Sequence, residues 1–267
     1  MFGILRLMPD PLAFGFLDFQ QDFARQFAAV IEIATRLMDV ENGIFQKPVS
    51  EPLHKLIRYI ARTVSNSYSA LFILVSNGCG TDALKVARGM FESAITVLYL
   101  KKHPELFDDY LNFRWVKRHK YYEYLKQFHP EDLKRVKAED IAASEAEYAK
   151  VETQFPRKKW LRNDWCKANL REMAAEVGQG QAYFFVYPVT SSIHHLDIVG
   201  LGAHVDDEDV EMLPSWKNIE LAVAIAGIGV FLTLDCYNEV AGLGMDKEIG
   251  ELFKAHKDAL GASSHRR

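Results

Sequence analysis

Arg88 and Glu92 stand four residues apart in T-D-A-L-K-V-A-R-G-M-F-E-S-A-I-T-V-L-Y-L, residues 81–100. On a helix that spacing stacks opposite charges on one face. Leu84, Ala87, Phe91, Ile95 and Leu98 share a neighbouring stripe, and Val86, Met90, Ala94 and Val97 widen it beyond what a surface helix needs. Tyr99 extends the edge on which the charges lie. The pair is either solvated or part of a polar cluster between helices. A buried ion needs partners and changes its proton affinity, so the second arrangement would create a site in which Arg88 anchors an anion.

A second set lies in Y-P-V-T-S-S-I-H-H-L-D, Tyr187 to Asp197. If Pro188 opens a helix, Ser191 and His195 fall one turn apart on one face, and His194 and Asp197 on another. Thr190 and His194 repeat the hydroxyl-to-histidine spacing. Histidine titrates near neutral pH and can act as acid, base or ligand; the serine hydroxyl could orient it or give it a proton. The competing role is a structural histidine held by Ser, Tyr or backbone.

Together, R-x-x-x-E (Arg88, Glu92) and Y-x-x-x-S-x-x-x-H (Tyr187, Ser191, His195) resemble a widespread microbial family of unknown function, DUF5677, over roughly Leu53 to His204. The resemblance implies an all-helical fold in which these polar residues converge, and it carries no established activity. A separate segment, Arg114-W-V-K-R-His119, has the R-x4-H spacing of helical ribonuclease toxins of the HEPN type. That similarity implies an Arg and a His meeting across a dimer, with the His as acid/base on the RNA 2′-hydroxyl and no metal. The residue after Arg114 is Trp115, where those enzymes carry a small polar residue. Arg114, Lys117, Arg118, His119 and Lys120 interleave with Trp115, Tyr121, Tyr122 and Tyr124, a mixture suited to phosphate contact and base stacking, or to a solvated helix.

Other chemistries lack their spacing. His194, His195, Asp197 and His204 diverge on a helix, and no H-E-x-x-H occurs, so no metal site or cofactor is expected. Glu51-x-x-His54 is one E-x-x-H where a di-iron bundle needs two. Five G-x-G triplets never extend to G-x-G-x-x-G or a P-loop, and there is no G-x-S-x-G. The acidic run Asp206 to Asp209 lacks the order of a calcium loop.

The elements that must position these residues are helical. The chain has 267 residues, 49% hydrophobic and 25% charged, with only 16 Gly and 9 Pro, which excludes disorder and a turn-rich β-sandwich. Periodicity predicts helices over 18–38, 51–75, 82–101, 105–127, 131–153, 164–177, 188–199, 215–243 and 245–260. Thr81 is the expected cap of the third, and Pro130 and Pro188 are expected in first turns. Tyr183–Val186 is the one short run with strand-like composition. Leu221–Leu234 holds 14 uncharged residues between Glu220 and Asp235, short of the roughly 20 that span a bilayer, and reads as a buried core helix.

The net charge of −4 is uneven: Lys101–Ala175 carries 17 Lys/Arg against 13 Asp/Glu, and the remainder 15 against 23. The basic segment is expected to form an outer layer and leaves room for an anionic partner. Cys79, Cys166 and Cys236 are isolated, and residues 1–16 lack the charged start and apolar run of a signal peptide, so a cytoplasmic protein with reduced thiols is expected.

The resulting expectation is a single all-α domain, residues 1–267, built as a multi-helix bundle around an apolar C-terminal helix, with a basic tail at 261–267. Its expected function is recognition of a small anionic or nucleotide-like ligand, with hydrolysis of that ligand left open. Arg88 and Tyr187 bind, while Glu92, Ser191 and His195 serve catalysis. The alternatives are a HEPN-like ribonuclease of phage-defence type acting on RNA through Arg114, Arg118 and His119, and a non-catalytic interaction module. No membrane partner is expected, and the oligomeric state is not readable.

Overall fold

A computed structural model describes residues 16–155, 165–195, 197–202, 205–206, 209–210 and 213–264. The described chain is all-α. Twelve α-helices follow in order: α1 (Leu17–Gln26), α2 (Ala28–Gln46), α3 (Pro52–Ser76), α4 (Gly80–Lys102), α5 (Phe107–Phe128), α6 (Pro130–Leu133), α7 (Ala138–Val151), α8 (Leu170–Glu176), α9 (Gly180–His195), α10 (Ile198–Gly202), α11 (Ile219–Ala241) and α12 (Asp246–Ser264). A two-residue antiparallel ribbon, β1 (Val205–Asp206) and β2 (Asp209–Val210), is the small exception.

The chain divides into two compact units, residues 102–173 and the segments 1–101 and 174–267 that flank them. The charged segment expected to form an outer layer is thus a compact unit in its own right. Within it, Phe113, Val116, Val151 and Phe155 make a small core joined by Trp115, Tyr148 and Trp165.

In the larger unit the core follows from α4 and α11. Leu84, Ala87, Phe91 and Ile95 of α4 are all fully buried, as the stripe requires. The helix α11 has 23 residues and by length and composition could cross a membrane, yet Ile225, Ala226, Val230, Leu234 and Tyr237 are buried inside this unit. It ends in a left-handed Gly242, whose N–H and that of Leu243 return to Asn238 and Glu239 carbonyls.

Several boundaries differ from expectation. The predicted helix over 18–38 is two helices that part at Phe27, which is buried and stacked on Phe23, and the second runs on to Gln46. The predicted helix over 131–153 stops and restarts between Leu133 and Ala138. Thr81 does not cap α4. The helix begins at Gly80, where a Cβ would lie 2.1 Å from the Lys217 carbonyl oxygen, and the Thr81 hydroxyl accepts a hydrogen bond from Asn218 Nδ2 at 3.0 Å. The strand-like run Tyr183–Val186 is helical, because α9 starts at Gly180 and carries Pro188 inside it. The chain stays helical to Ser264 where a tail was expected from 261; residues 265–267 lie outside the described residues.

Candidate functional site

Arg88 occupies the border between the apolar stripe of α4 and the polar face, and its side chain is only 12% exposed. Two neighbours and one unpartnered atom define its state. Its Nε donates to Glu92 Oε1 at 2.7 Å, a charge-assisted bond from a carboxylate that is itself 37% exposed. Its guanidinium carbon lies 4.6 Å from the centroid of the Tyr187 ring on α9, a cation–π contact. Its Nη1 is buried and has no acceptor among the described residues. Arg preceding Glu by four is the less favourable order for helix support, so the pair gains little as a surface brace. A buried donor left unmet costs on the order of 1–3 kcal/mol, and more when charged. An incoming anion oxygen would remove that cost.

The helix α9 supplies more than the sequence reading anticipated. Because it begins at Gly180, Tyr183 sits one turn before Tyr187 on the same stripe, and the two rings stack with centroids 4.8 Å apart. Pro188 within the helix gives up one backbone donor without ending it. The expectation that Pro188 starts the helix is what hid Tyr183.

Ser191 and His195 continue the stripe toward the C-terminal end of α9. Ser191 is half-buried and His195 is exposed. Among the described residues neither hydrogen-bonds Arg88 or Glu92; the His195 ring lies edge-on to that of His194, with centroids 5.1 Å apart. The structure thus brings Arg88, Glu92 and Tyr187 together and does not hydrogen-bond Glu92 to His195. Thr190 is buried and donates to the Val186 carbonyl at 2.8 Å. Asp197 accepts from the Gly200 N–H at 2.9 Å and so caps α10. His204 lies outside the described residues, and among those described no three His, Cys, Asp or Glu side chains gather as metal ligands.

In the smaller unit, Arg114 is exposed, with its guanidinium carbon 4.5 Å from the centroid of the Trp115 ring. Arg118 is exposed and its Nε donates to the Tyr122 hydroxyl at 3.1 Å. His119 turns inward: its ring stacks on Tyr148 at 3.9 Å and its Nδ1 lies 2.8 Å from a Glu145 oxygen. Five positions along a helix place Arg114 and His119 roughly 140° apart around the axis.

The family of unknown function DUF5677 matches residues 54–212. The chain belongs to that family. No curated protein and no solved structure matches it. The DUF5677 segment contains Arg88, Glu92, Tyr183, Tyr187, Ser191 and His195, and it also contains all of α5. The family segment therefore holds both polar sets that the sequence singles out.

A third set was missed, and its two ionisable ends lie outside the DUF5677 segment. Glu41 on α2, Tyr68 on α3 and His256 on α12 are all buried, and each has one polar atom without a partner among the described residues: Glu41 Oε1, Tyr68 Oη and His256 Nε2. Burial pushes the Glu41 carboxyl up to about 7, against the pull of the neighbouring Ser65 hydroxyl. Burial also holds the His256 imidazole down, at about 4. The Tyr68 phenol is raised by burial and by the Glu41 charge, and its ring lies 6.4 Å from that of His256. On α11, Gly227 makes the room, since a Cβ there would stand 2.3 Å from His256 Cε1. Glu41 sits in a run of ordinary amphipathic sequence, so only Gly227, inside the most apolar helix, hinted that something large packs there.

Proposed function

We propose that the DUF5677 segment of this chain binds a small anionic ligand, a phosphate monoester or a nucleotide, at Arg88. The observation that carries the reading is the Arg88 guanidinium itself: fixed through Nε by Glu92, laid on the Tyr187 ring, and left with a buried Nη1 donor that has no acceptor among the described residues. A planar guanidinium with an unpaired N–H suits phosphate oxygens. Holding it in place beforehand removes part of the ordering cost of binding. Glu92 is the positioning residue, Arg88 the anchor, and Tyr187, backed by Tyr183, the aromatic floor.

The proposal is one of binding and not of hydrolysis. Ser191 and His195, the residues expected to move protons, make no hydrogen bond to the Arg88–Glu92 pair among the described residues, and no proton-transfer step is assigned to them.

Thermal unfolding in the presence of inorganic phosphate, pyrophosphate or AMP tests the reading. A ligand that binds only the folded state raises the melting temperature saturably. The wild type is expected to show that rise with at least one of the three. The Arg88→Gln and Arg88→Lys variants are expected to lose most of it, and His195→Ala to keep it. A rise that survives both Arg88 substitutions, or no rise with any of the three in the wild type, overturns the proposal.

A further inference from the structure

We propose that the outward face of α5 is a docking surface for single-stranded RNA, separate from the Arg88 site and without cleavage chemistry of its own. At 100° per residue, Arg114, Lys117, Arg118, Tyr121, Tyr124 and Phe128 fall within an arc of about 120° around the axis, which places all six on one stripe of the helix. All six are exposed. The three aromatic rings are unusually so, at 55%, 51% and 58% for Tyr121, Tyr124 and Phe128. At a rise of about 1.5 Å per residue the stripe is about 21 Å long, cations first and aromatics after.

Two features make this face more than a solvated helix surface. Among the described residues Arg114, Lys117 and Arg118 form no ion pair; each lies near an aromatic ring instead, Trp115, Phe113 and Tyr122 respectively. Elsewhere on the same helix Lys126 does find a carboxylate, Glu123. Three unneutralised cations in line, with no acid on the stripe, complement a phosphate backbone. Three exposed aromatics in line beyond them offer stacking faces that any base can use. A protein partner would be served by the rings and would leave the unpaired cations unexplained. Ribose is favoured over deoxyribose by the exposed phenol of Tyr121, a group able to exchange hydrogen bonds with a 2′-hydroxyl. Cleavage is not assigned to this face. His119, the acid/base residue of the R-x4-H reading, points to the opposite side of α5, where Tyr148 covers its ring and Glu145 holds its Nδ1.

Fluorescence anisotropy of the full chain with a short labelled oligouridylate tests the proposal, with the matching oligodeoxythymidylate and a blunt RNA duplex as further probes. The wild type is expected to bind oligouridylate more tightly than either. Replacing Tyr121, Tyr124 and Phe128 by Ala is expected to weaken binding by about tenfold per ring in contact with a base. Replacing Arg114, Lys117 and Arg118 by Gln is expected to flatten the log–log salt dependence by about two, the slope that three released counterions give on a single strand. Lys126→Gln, off the stripe, is expected to leave affinity unchanged. The probe is expected to be recovered full length. The proposal is overturned if the wild type does not bind oligouridylate, if the deoxy probe or the duplex binds as well, or if the aromatic triple variant changes oligomeric state and leaves affinity unaltered. Shortening of the probe that disappears with His119→Ala overturns the assignment of binding without cleavage.

Discussion

Two polar clusters are embedded in the larger unit, and they solve the problem of burial in opposite ways. Around Arg88 the charge is kept: Glu92 accepts from Nε, the Tyr187 ring lies against the guanidinium, and part of the cluster reaches solvent. Around Glu41, Tyr68 and His256 the charge is suppressed: burial drives both ionisable groups toward their neutral forms. A permanently charged, partly open group can meet an outside anion. A neutralised, closed cluster instead couples the stability of the fold to pH. That difference is why the Arg88 cluster is read as a site and the other as a structural device.

The largest expected effect belongs to the neutralised cluster. Glu41 is raised in the folded state, so its contribution is fully present below the unfolded value of 4.5 and is lost as pH rises to about 7. His256 is lowered, so its contribution is fully present above 6.5 and is lost as pH falls to about 4. The two slopes oppose each other across their shared window and largely cancel in the wild type. Glu41→Gln is expected to unmask His256, making stability climb with pH by about 3 kcal/mol relative to a pH-independent chain. His256→Leu is expected to unmask Glu41 and give a fall of similar size. Urea unfolding from pH 4 to 8 reads both; two variants with parallel profiles would erase the distinction between the clusters.

Gly227→Ala comes next. Its Cβ would overlap the His256 ring, and overpacking of this kind costs about 1–3 kcal/mol. In the double variant with His256→Ala the two costs should fall short of additive, a coupling that a double-mutant cycle measures.

On the charged cluster the expected effects on stability are smaller. Glu92→Gln removes the charge facing a mostly buried guanidinium across a half-open contact and should cost about 1 kcal/mol of stability. It should also loosen Arg88 and weaken the anion-induced thermal shift. His195→Ala should change stability by less than about 0.5 kcal/mol, because the side chain is exposed and has no hydrogen bond among the described residues. A larger loss would place His195 in the cluster after all.

What was legible in the sequence follows from range. Arg88 and Glu92 are one turn apart on one helix, so their bond could be read from spacing, and the broad apolar stripe of α4 correctly marked a helix buried over much of its surface. The all-α class was legible for the same reason. The start of α9 was not, because Pro188 is a strong local signal for a first turn and tertiary packing overrode it. The separate unit at 102–173 left only a charge bias in the sequence, with no linker composition to mark its edges. The Glu41–Tyr68–His256 set was invisible, since its members come from three helices with no shared spacing and each is ordinary where it stands.

The claim that Arg88 is an anion site is tested most directly on the guanidinium itself. In nitrogen-15 side-chain spectra of the full chain, titration with inorganic pyrophosphate is expected to shift the Arg88 Nε and Nη resonances saturably and to slow rotation of the guanidinium, and Arg88→Lys serves to assign those signals. Arg88 resonances that stay unmoved to the highest pyrophosphate concentration, or that move only in step with exposed arginines such as Arg25 and Arg135, would contradict it.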